Sequence, residues 1–212
     1  AHNHCPDLSV HRCLGMSDPE TLAIYAQKAQ DYADIIADAA ARDPLLARFV
    51  AQVPKGGHVL DLGCGPGTFA GLMAQAGLSV TAMDAVAQMV ALIPKHPAIT
   101  PVLGTFDDIA GTDMYDGIWA NFSLLHATRA NMPRHLEALH TALKSGGLFH
   151  IALKSGDSTK RDRLGRQYTY YTQTELTDLL TAAGFAVDSF ASGHDVGLDG
   201  TPADWIALHA YG

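Results

Sequence analysis

The 212-residue sequence predicts an α/β fold, a single-domain three-layer sandwich whose seven-stranded sheet is mostly parallel with an antiparallel last strand. From His58 onward, short apolar runs alternate with helical stretches, which is typical of a parallel sheet covered by helices on both faces. The last two apolar runs have no helix between them and should therefore pair as an antiparallel hairpin. No internal repeat or linker divides the chain, and 48% of its residues are hydrophobic, enough for a sizeable core.

Helices are predicted before the sheet begins. Asp18-Pro19 is a typical helix start, with Asp as the N-cap and Pro in the first turn. Apolar residues then recur at spacings of three and four, and this helical stripe contains Leu22, Tyr25, Ala29, Tyr32 and Ile36. Asp43-Pro44 starts a second, shorter helix over 45–53, and the turn residues of 54–57 end it.

The rest of the chain alternates between the two kinds of element. The predicted strands are 58–62, 79–83, 99–103, 115–121, 147–153, 185–190 and 205–210. The predicted helices are one that runs through residue 76 and others over 85–93, 131–143 and 174–183. The carboxyl ends of parallel strands meet at one edge of the sheet, where open α/β sheets bind their ligands. Functional residues are therefore expected just after the strands.

Composition disfavours several classes of partner. The net charge is −8, with 22 acidic and 14 basic residues, so no nucleic-acid partner is expected. No apolar run approaches the ~20 residues of a membrane span, and no secretory leader pattern opens the chain. Three cysteines make a poor disulfide framework, which favours a reducing cytoplasm. A monomer or homodimer without a membrane partner is the expectation.

Residues 1–16 are expected to be an expression-tag remnant or a flexible tail, because Met16-Ser17-Asp18 reads as a natural start. The alternative is a metal site, since this stretch holds His2, His4, Cys5, His11 and Cys13. Their spacing matches no standard zinc pattern, so no metal is predicted.

The strongest functional signal is the glycine turn Gly63-x-Gly65-x-Gly67, which links an apolar strand to a helix. The next strand ends in Asp84, and a carboxylate there can accept both hydrogen bonds from a ribose diol. A dinucleotide fingerprint reads G-x-G-x-x-G, whereas here the third glycine comes one residue early. Asp61, two residues before the turn, would repel a pyrophosphate but attract an ammonium or sulfonium group. The turn therefore predicts a cationic nucleoside without phosphates.

The string Val59–Gly67 resembles motif I of the class I S-adenosylmethionine-dependent methyltransferases, which have a Rossmann-like fold. Asp84 is similar to the acidic residue with which these enzymes bind ribose. The stretch 116–121 resembles their fourth strand, and 143–148 resembles their L-K-P-G-G-x turn with Ser145 in place of Pro. The likeness runs from Ser17 to the C-terminus and is greatest to small bacterial members of the tellurite-resistance or thiol methyltransferase type.

This resemblance implies S-adenosylmethionine as methyl donor and S-adenosylhomocysteine as product. It implies a methyltransferase domain over 17–212, in which residues 17–53 form a helical lid. The donor-binding residues it implies are Tyr25, Tyr32, Asp61, Gly63, Cys64, Gly65, Asp84, Ala85, Met89, Thr105, Phe106, Ala120 and Asn121. The two tyrosines either shield the sulfonium by cation–π attraction or pack as core. Thr105 stands where the family often has Asp, so adenine contacts are expected from backbone groups and from Asp107 or Asp108.

Candidate acceptor residues follow the fourth and fifth strands. His126 is the candidate general base, because imidazole titrates near neutral pH; the alternative is that it packs against the donor or caps a loop. The segment 154–166 holds five of the 14 basic residues and can attract an anionic acceptor, or else it is a solvated loop. The tyrosines after it can stack on a planar acceptor or anchor the loop to the core. The candidate acceptor-binding residues are Lys154, Arg163, Arg166, Tyr168 and Tyr170.

The predicted function is S-adenosylmethionine-dependent methyl transfer to a small molecule. Two alternatives remain open from the sequence. One is a non-catalytic protein that binds S-adenosylmethionine. The other is an NAD-dependent oxidoreductase, against which the glycine spacing argues.

Overall fold

Nine strands form two sheets in the part of the chain that the computed structural model describes, residues 18–197 and 199–212. The strands are β1 (His58–Leu62), β2 (Ser79–Asp84), β3 (Ile99–Leu103), β4 (Tyr115–Asn121), β5 (Leu143–Lys154), β6 (Thr159–Arg161), β7 (Gln167–Thr169), β8 (Ala186–Val196) and β9 (Pro202–Tyr211). The main sheet has seven strands in the order β3-β2-β1-β4-β5-β9-β8. β9 lies antiparallel between β5 and β8, and the pairs from β3 to β5 are parallel. The predicted fold class is confirmed.

Helices cover both faces of this sheet. They are α1 (Pro19–Gln27), α2 (Ala29–Ala40), α3 (Pro44–Gln52), α4 (Thr68–Gln75), α5 (Ala87–Val90), α6 (Met132–Ala142) and α7 (Gln173–Ala182). Successive residues of a strand point to opposite faces of the sheet, so the side chains of β1 pack into two different cores. Leu60 and Leu62 belong to the core with α6 and α7, whereas Val59 belongs to the core with α3 and α4.

The N-terminal helix is divided, although the sequence predicts one continuous stripe. Asp18 caps α1, since its Oδ2 accepts the Thr21 N–H at 2.9 Å. Lys28, with φ −110° and ψ 18°, then interrupts the helical geometry before α2 begins. α5 is also shorter than the predicted 85–93. The Asp84 carboxylate accepts the Val86 N–H, which holds that residue extended and delays the helix.

A short hairpin lies in the segment after β5, where the sequence predicts only a loop. β6 and β7 pair antiparallel and form the two-stranded sheet. The turn between them is held by Asp162, whose Oδ1 accepts the N–H groups of Leu164 and Arg166. The strands are polar and only three residues long, so they lack the apolar alternation that predicts strands.

No helix in the described ranges is long and apolar enough to cross a membrane.

Two buried histidines lie opposite each other on β5 and β9. His150 on β5 and His209 on β9 are cross-strand partners, with ring centroids 5.0 Å apart and side chains almost fully buried. Within the described residues, His150 Nδ1 and both ring nitrogens of His209 have no hydrogen-bond partner. Burial lowers the pKa of His150 well below its usual range and that of His209 to about 4. Both imidazoles are therefore neutral in the folded protein at pH 7.

We expect the free energy of unfolding to fall as the pH drops from about 6.5 towards 4. The unfolded chain binds protons on these histidines at a pH where the folded chain cannot, so the stabilisation is complete above pH ~6.5 and is lost below it. Each histidine can lower the free energy of unfolding by up to about 1.4 kcal/mol for each unit by which the pH falls. Urea unfolding between pH 7.5 and 5 measures the slope. His209→Leu should flatten it, whereas His96→Leu, at an exposed site, should not. An unchanged slope in His209→Leu would contradict this account.

Candidate functional site

A pocket opens at the carboxyl ends of β1, β2 and β4, the edge at which open α/β sheets bind their ligands. The predicted residues that line it are Tyr25, Tyr32, Gly63, Gly65, Asp84, Ala85, Met89, Thr105, Phe106, Asn121 and His126. We call it the first pocket. Three predicted residues, Asp61, Cys64 and Ala120, do not line it. The pocket is also lined by residues that the sequence did not predict: Thr21, Leu22, Leu62, Val86, Gly104, Phe122 and Ser123, of which the last two directly follow β4.

The glycine turn forms the floor of this pocket. The N–H groups of Gly63 and Cys64 both donate to the Met83 carbonyl, at 2.8 and 3.0 Å, which ties the turn to the end of β2. Gly63 adopts a φ of +66°, and a Cβ built on it would lie 2.3 Å from the Ser123 Cβ. Only glycine allows the turn to approach the segment after β4 so closely.

Asp84 sits at the end of β2 and faces the first pocket. Its Oδ2 accepts the Gly65 N–H at 2.8 Å, and its Oδ1 accepts the Val86 N–H at 2.9 Å. Each carboxylate oxygen can still accept a further hydrogen bond. Burial raises the pKa of this carboxyl, against the lowering effect of the backbone donors. The residue is therefore held in place with acceptor capacity that a polar ligand can use.

Asp61 lies behind the turn, because it shares the face of β1 that packs against α4. Its side chain is 2% exposed, and the Ala70 N–H of α4 donates to it. Its Oδ2 has no hydrogen-bond partner among the described residues. Burial, with the nearby charge of Asp84, raises the pKa of Asp61 to about 8. With this pKa the Asp61 carboxyl is mostly protonated at pH 7, so the negative charge that favours a cationic ligand over a pyrophosphate belongs to Asp84.

Asp107 and Asp108, the carboxylates expected to contact adenine, have partners within the protein. Asp108 accepts hydrogen bonds from the N–H and hydroxyl of Thr105, at 2.8 and 2.9 Å. Asp107 forms an ion pair with Arg134. Neither carboxylate lines the first pocket, whereas Met89 and Phe106 line it with apolar surface.

A chain of hydrogen bonds joins Tyr25 of α1, which lines the first pocket, to the β6–β7 hairpin. The Tyr25 hydroxyl accepts from Arg166 Nη1 at 3.0 Å and lies 3.0 Å from His126 Nε2. His126 Nδ1 lies 2.7 Å from the Gln167 carbonyl oxygen. A carbonyl can only accept, so Nδ1 carries the hydrogen and Nε2 accepts from Tyr25. Burial lowers the pKa of His126 to about 4; the charge of Arg166 also lowers it, whereas the bond to Gln167 raises it. The imidazole is therefore neutral at pH 7.

A second pocket adjoins the first and shares Tyr25, Tyr32 and Phe122 with it. Three predicted acceptor residues line it: Lys154, Arg166 and Tyr168. The other two, Arg163 and Tyr170, line neither pocket.

The charges in the segment after β5 are mostly paired. Arg166 is buried and donates from Nε and Nη2 to Asp162, at 2.9 and 2.6 Å. Arg161 donates to both carboxylate oxygens of Asp18 at 2.8 Å and so fastens the hairpin to α1. The predicted attraction of an anion therefore depends on the cations of this segment that face the second pocket, which are Lys154 and Arg166.

The His and Cys cluster of residues 2–13 lies outside the described residues. Within 18–197 and 199–212, no group of three or more His, Cys, Asp or Glu side chains is arranged to hold a metal ion.

Comparisons with known proteins bear on this geometry. A family model described as a methyltransferase domain matches residues 32–189. The ubiquinone/menaquinone biosynthesis C-methyltransferase UbiE of Rubrivivax gelatinosus is 34% identical over 107 residues, which are 48% of this chain and 42% of that protein. The match spans less than half the length of that relative. The likeness to the tellurite-resistance type stays a prediction from the motifs.

Solved structures share the fold over most of the chain. The 1,6-didemethyltoxoflavin-N1-methyltransferase of Burkholderia thailandensis, solved with 1,6-didemethyltoxoflavin and S-adenosylhomocysteine, has a TM-score of 0.74 at 24% identity and covers 91% of this chain and 87% of its own. A SAM-dependent methyltransferase of Leishmania major has a TM-score of 0.69 at 18% identity, with 91% and 85% covered. At these identities the likeness shows the fold alone.

Replacing Gly63 by Ala should cost clearly more stability than replacing Gly56. Both residues have positive φ, +66° and +73°, so Ala at either costs about 1–2 kcal/mol of backbone strain. A Cβ at Gly56 meets nothing within 4 Å, whereas one at Gly63 overlaps Ser123. Displacing Ser123 should add about 1–3 kcal/mol, measured by urea unfolding. Equal losses in the two variants would show that the turn and Ser123 are not in close contact.

Proposed function

Because the chain belongs to the methyltransferase-domain family, whose model matches residues 32–189, we propose that it transfers a methyl group from S-adenosylmethionine to a small-molecule acceptor. One observation carries the proposal: two adjoining pockets meet at the shared rings of Tyr25, Tyr32 and Phe122. A donor in one pocket and an acceptor in the other would bring their reacting atoms together at these rings.

The first pocket is the proposed donor site. Asp84 would accept the ribose hydroxyls, Met89 and Phe106 would contact the adenine, and the backbone of Gly63 and Gly65 would contact the amino-acid part. The bound donor supplies an activated methyl group on a positively charged sulfur. Asp84 favours that charge electrostatically, and the rings of Tyr25 and Tyr32 can stabilise it from above. Residues 17–53 would act as the lid, through α1 and α2.

The second pocket is the proposed acceptor site, and the acceptor is proposed to be anionic. Lys154 and Arg166 place two cations on its wall, in a chain with a net charge of −8. The Burkholderia enzyme holds 1,6-didemethyltoxoflavin together with S-adenosylhomocysteine, which supports the pairing of a small molecule with the donor product on this fold.

His126 is best explained as a positioning residue for Tyr25. A general base must accept a proton, but the Nε2 lone pair of His126 already accepts from Tyr25. The lowered pKa, about 4, makes an imidazolium unfavourable at pH 7. The chemistry would then depend on orientation and exclusion of water, and proximity alone can supply about 7–11 kcal/mol.

Calorimetry should show micromolar or tighter binding of S-adenosylmethionine and no comparable binding of NAD. Asp84→Ala should weaken donor binding by about 1.5–3 kcal/mol, because bonds to a charged group are lost. Asp84→Asn should weaken it less, since it keeps one acceptor. Thermal unfolding of both variants controls for loss of the Gly65 and Val86 contacts. Preference for NAD, or unchanged affinity in Asp84→Ala, would contradict the assignment.

Turnover is tested with trideuteriomethyl-labelled S-adenosylmethionine in a small-molecule extract. We expect the labelled methyl group to appear in one or a few products. Tight donor binding without any labelled product would favour a non-catalytic binding protein.

A further inference from the structure

We propose that the acceptor is an aromatic acid, bound in the second pocket with its ring among Phe122, Tyr168 and Trp205 and its anionic group on Lys154. This inference rests on the proposed function and deepens it by naming the class of acceptor and the residue that selects it.

The walls of the second pocket are suited to a flat ring. Phe122 and Trp205 meet edge to face, with ring centroids 6.3 Å apart at 88°. Tyr168 is 3% exposed and Leu125 is 1% exposed, so the inner wall is rigid and largely apolar. At the mouth, Ile35 and Val196 are 59% and 69% exposed and continue the apolar surface outward. Aromatic ligands gain from offset and edge-to-face contacts of this kind.

Lys154 supplies the charge that the walls lack. It is the cross-strand partner of Trp205, so both side chains project from the same face of the sheet. Its Nζ lies 4.2 Å above the Tyr168 ring. Burial lowers its pKa, and no carboxylate among the described residues lies within 4.0 Å of its Nζ. A half-buried ammonium group without a carboxylate partner gains strongly from a bound anion.

The other charged groups of the second pocket are already occupied. Arg166 uses Nε and Nη2 on Asp162 and Nη1 on Tyr25. Asp195 accepts the indole N–H of Trp205 at 2.6 Å and is exposed at the mouth. Asp199 attracts Lys154 from a distance but accepts the Thr201 N–H. Lys154 is thus the charged group in this pocket, within the described residues, that remains open to a ligand.

Matched probes of different charge test this assignment. 1-Naphthoate, 1-naphthamide and 1-naphthylmethylamine share one ring system and differ in charge. Calorimetry or saturation-transfer NMR should show that the wild-type chain binds the acid about tenfold more tightly than the amide, a difference of about 1.4 kcal/mol. Lys154→Met should abolish this preference, and Lys154→Arg should keep most of it. Lys160→Met is the matched control, because Lys160 lies over the Tyr170 ring outside both pockets and should bind like wild type.

Several results would overturn the proposal. These are equal binding of acid and amide, an unchanged preference in Lys154→Met, tighter binding of the amine, or no saturable binding of the acid. Thermal unfolding and S-adenosylmethionine affinity are measured on every variant. If the donor binds but the acid preference is absent, the acceptor class is wrong and the donor site stands. If the wild-type chain does not bind the donor, the proposed function itself fails.

Discussion

The Tyr25 hydroxyl is the contact on which the arrangement of the site depends. It accepts from Arg166, donates to His126 and hydrogen-bonds with Tyr168, so it joins α1 to the turn after β4 and to the β6–β7 hairpin. Arg166 and Tyr168 are buried and Tyr25 and His126 are partly buried, and an unsatisfied buried polar atom would cost about 1–3 kcal/mol. A second bond, from the Gln167 N–H to the Thr21 hydroxyl, reinforces the same junction. The hairpin and the N-terminal helix therefore hold each other in place.

This junction determines the shape of both pockets. Because Tyr25 is fixed by three partners, its ring stands at the boundary between the first pocket, around Asp84, and the second pocket, around Trp205. Methyl transfer from a sulfonium needs an in-line approach and exclusion of water more than it needs acid–base groups. The depressed pKa of His126 agrees with such a site, since the imidazole serves as a neutral acceptor.

The parts of the site that depend on short stretches of sequence could be predicted from the sequence alone. The apolar strands, the glycine turn and Asp84 follow from periodicity and spacing, and they lie where the sequence places them. Asp61 shows the limit of that reasoning: its side chain faces α4, and nothing in the turn motif states which face of β1 it takes. The second pocket joins residues that lie far apart in the sequence, among them Ile35, Phe122 and Trp205. Such a meeting depends on tertiary packing. The hairpin was missed because Asp162, and no apolar pattern, holds its turn.

The most direct test of this account is a double-mutant cycle of Tyr25→Phe and His126→Leu, with the dissociation constant of S-adenosylmethionine measured for all four proteins. If the Tyr25–His126 bond holds α1 over the bound donor, each single variant should bind S-adenosylmethionine more weakly. The double variant then loses much less than the sum, with a coupling of about 0.5–3 kcal/mol. Tyr211→Phe, whose hydroxyl contacts the exposed Gln52 at the other end of β9, should combine additively with His126→Leu. Additive losses for Tyr25 and His126, or donor affinity unchanged in both single variants, would contradict the central role of this hydroxyl.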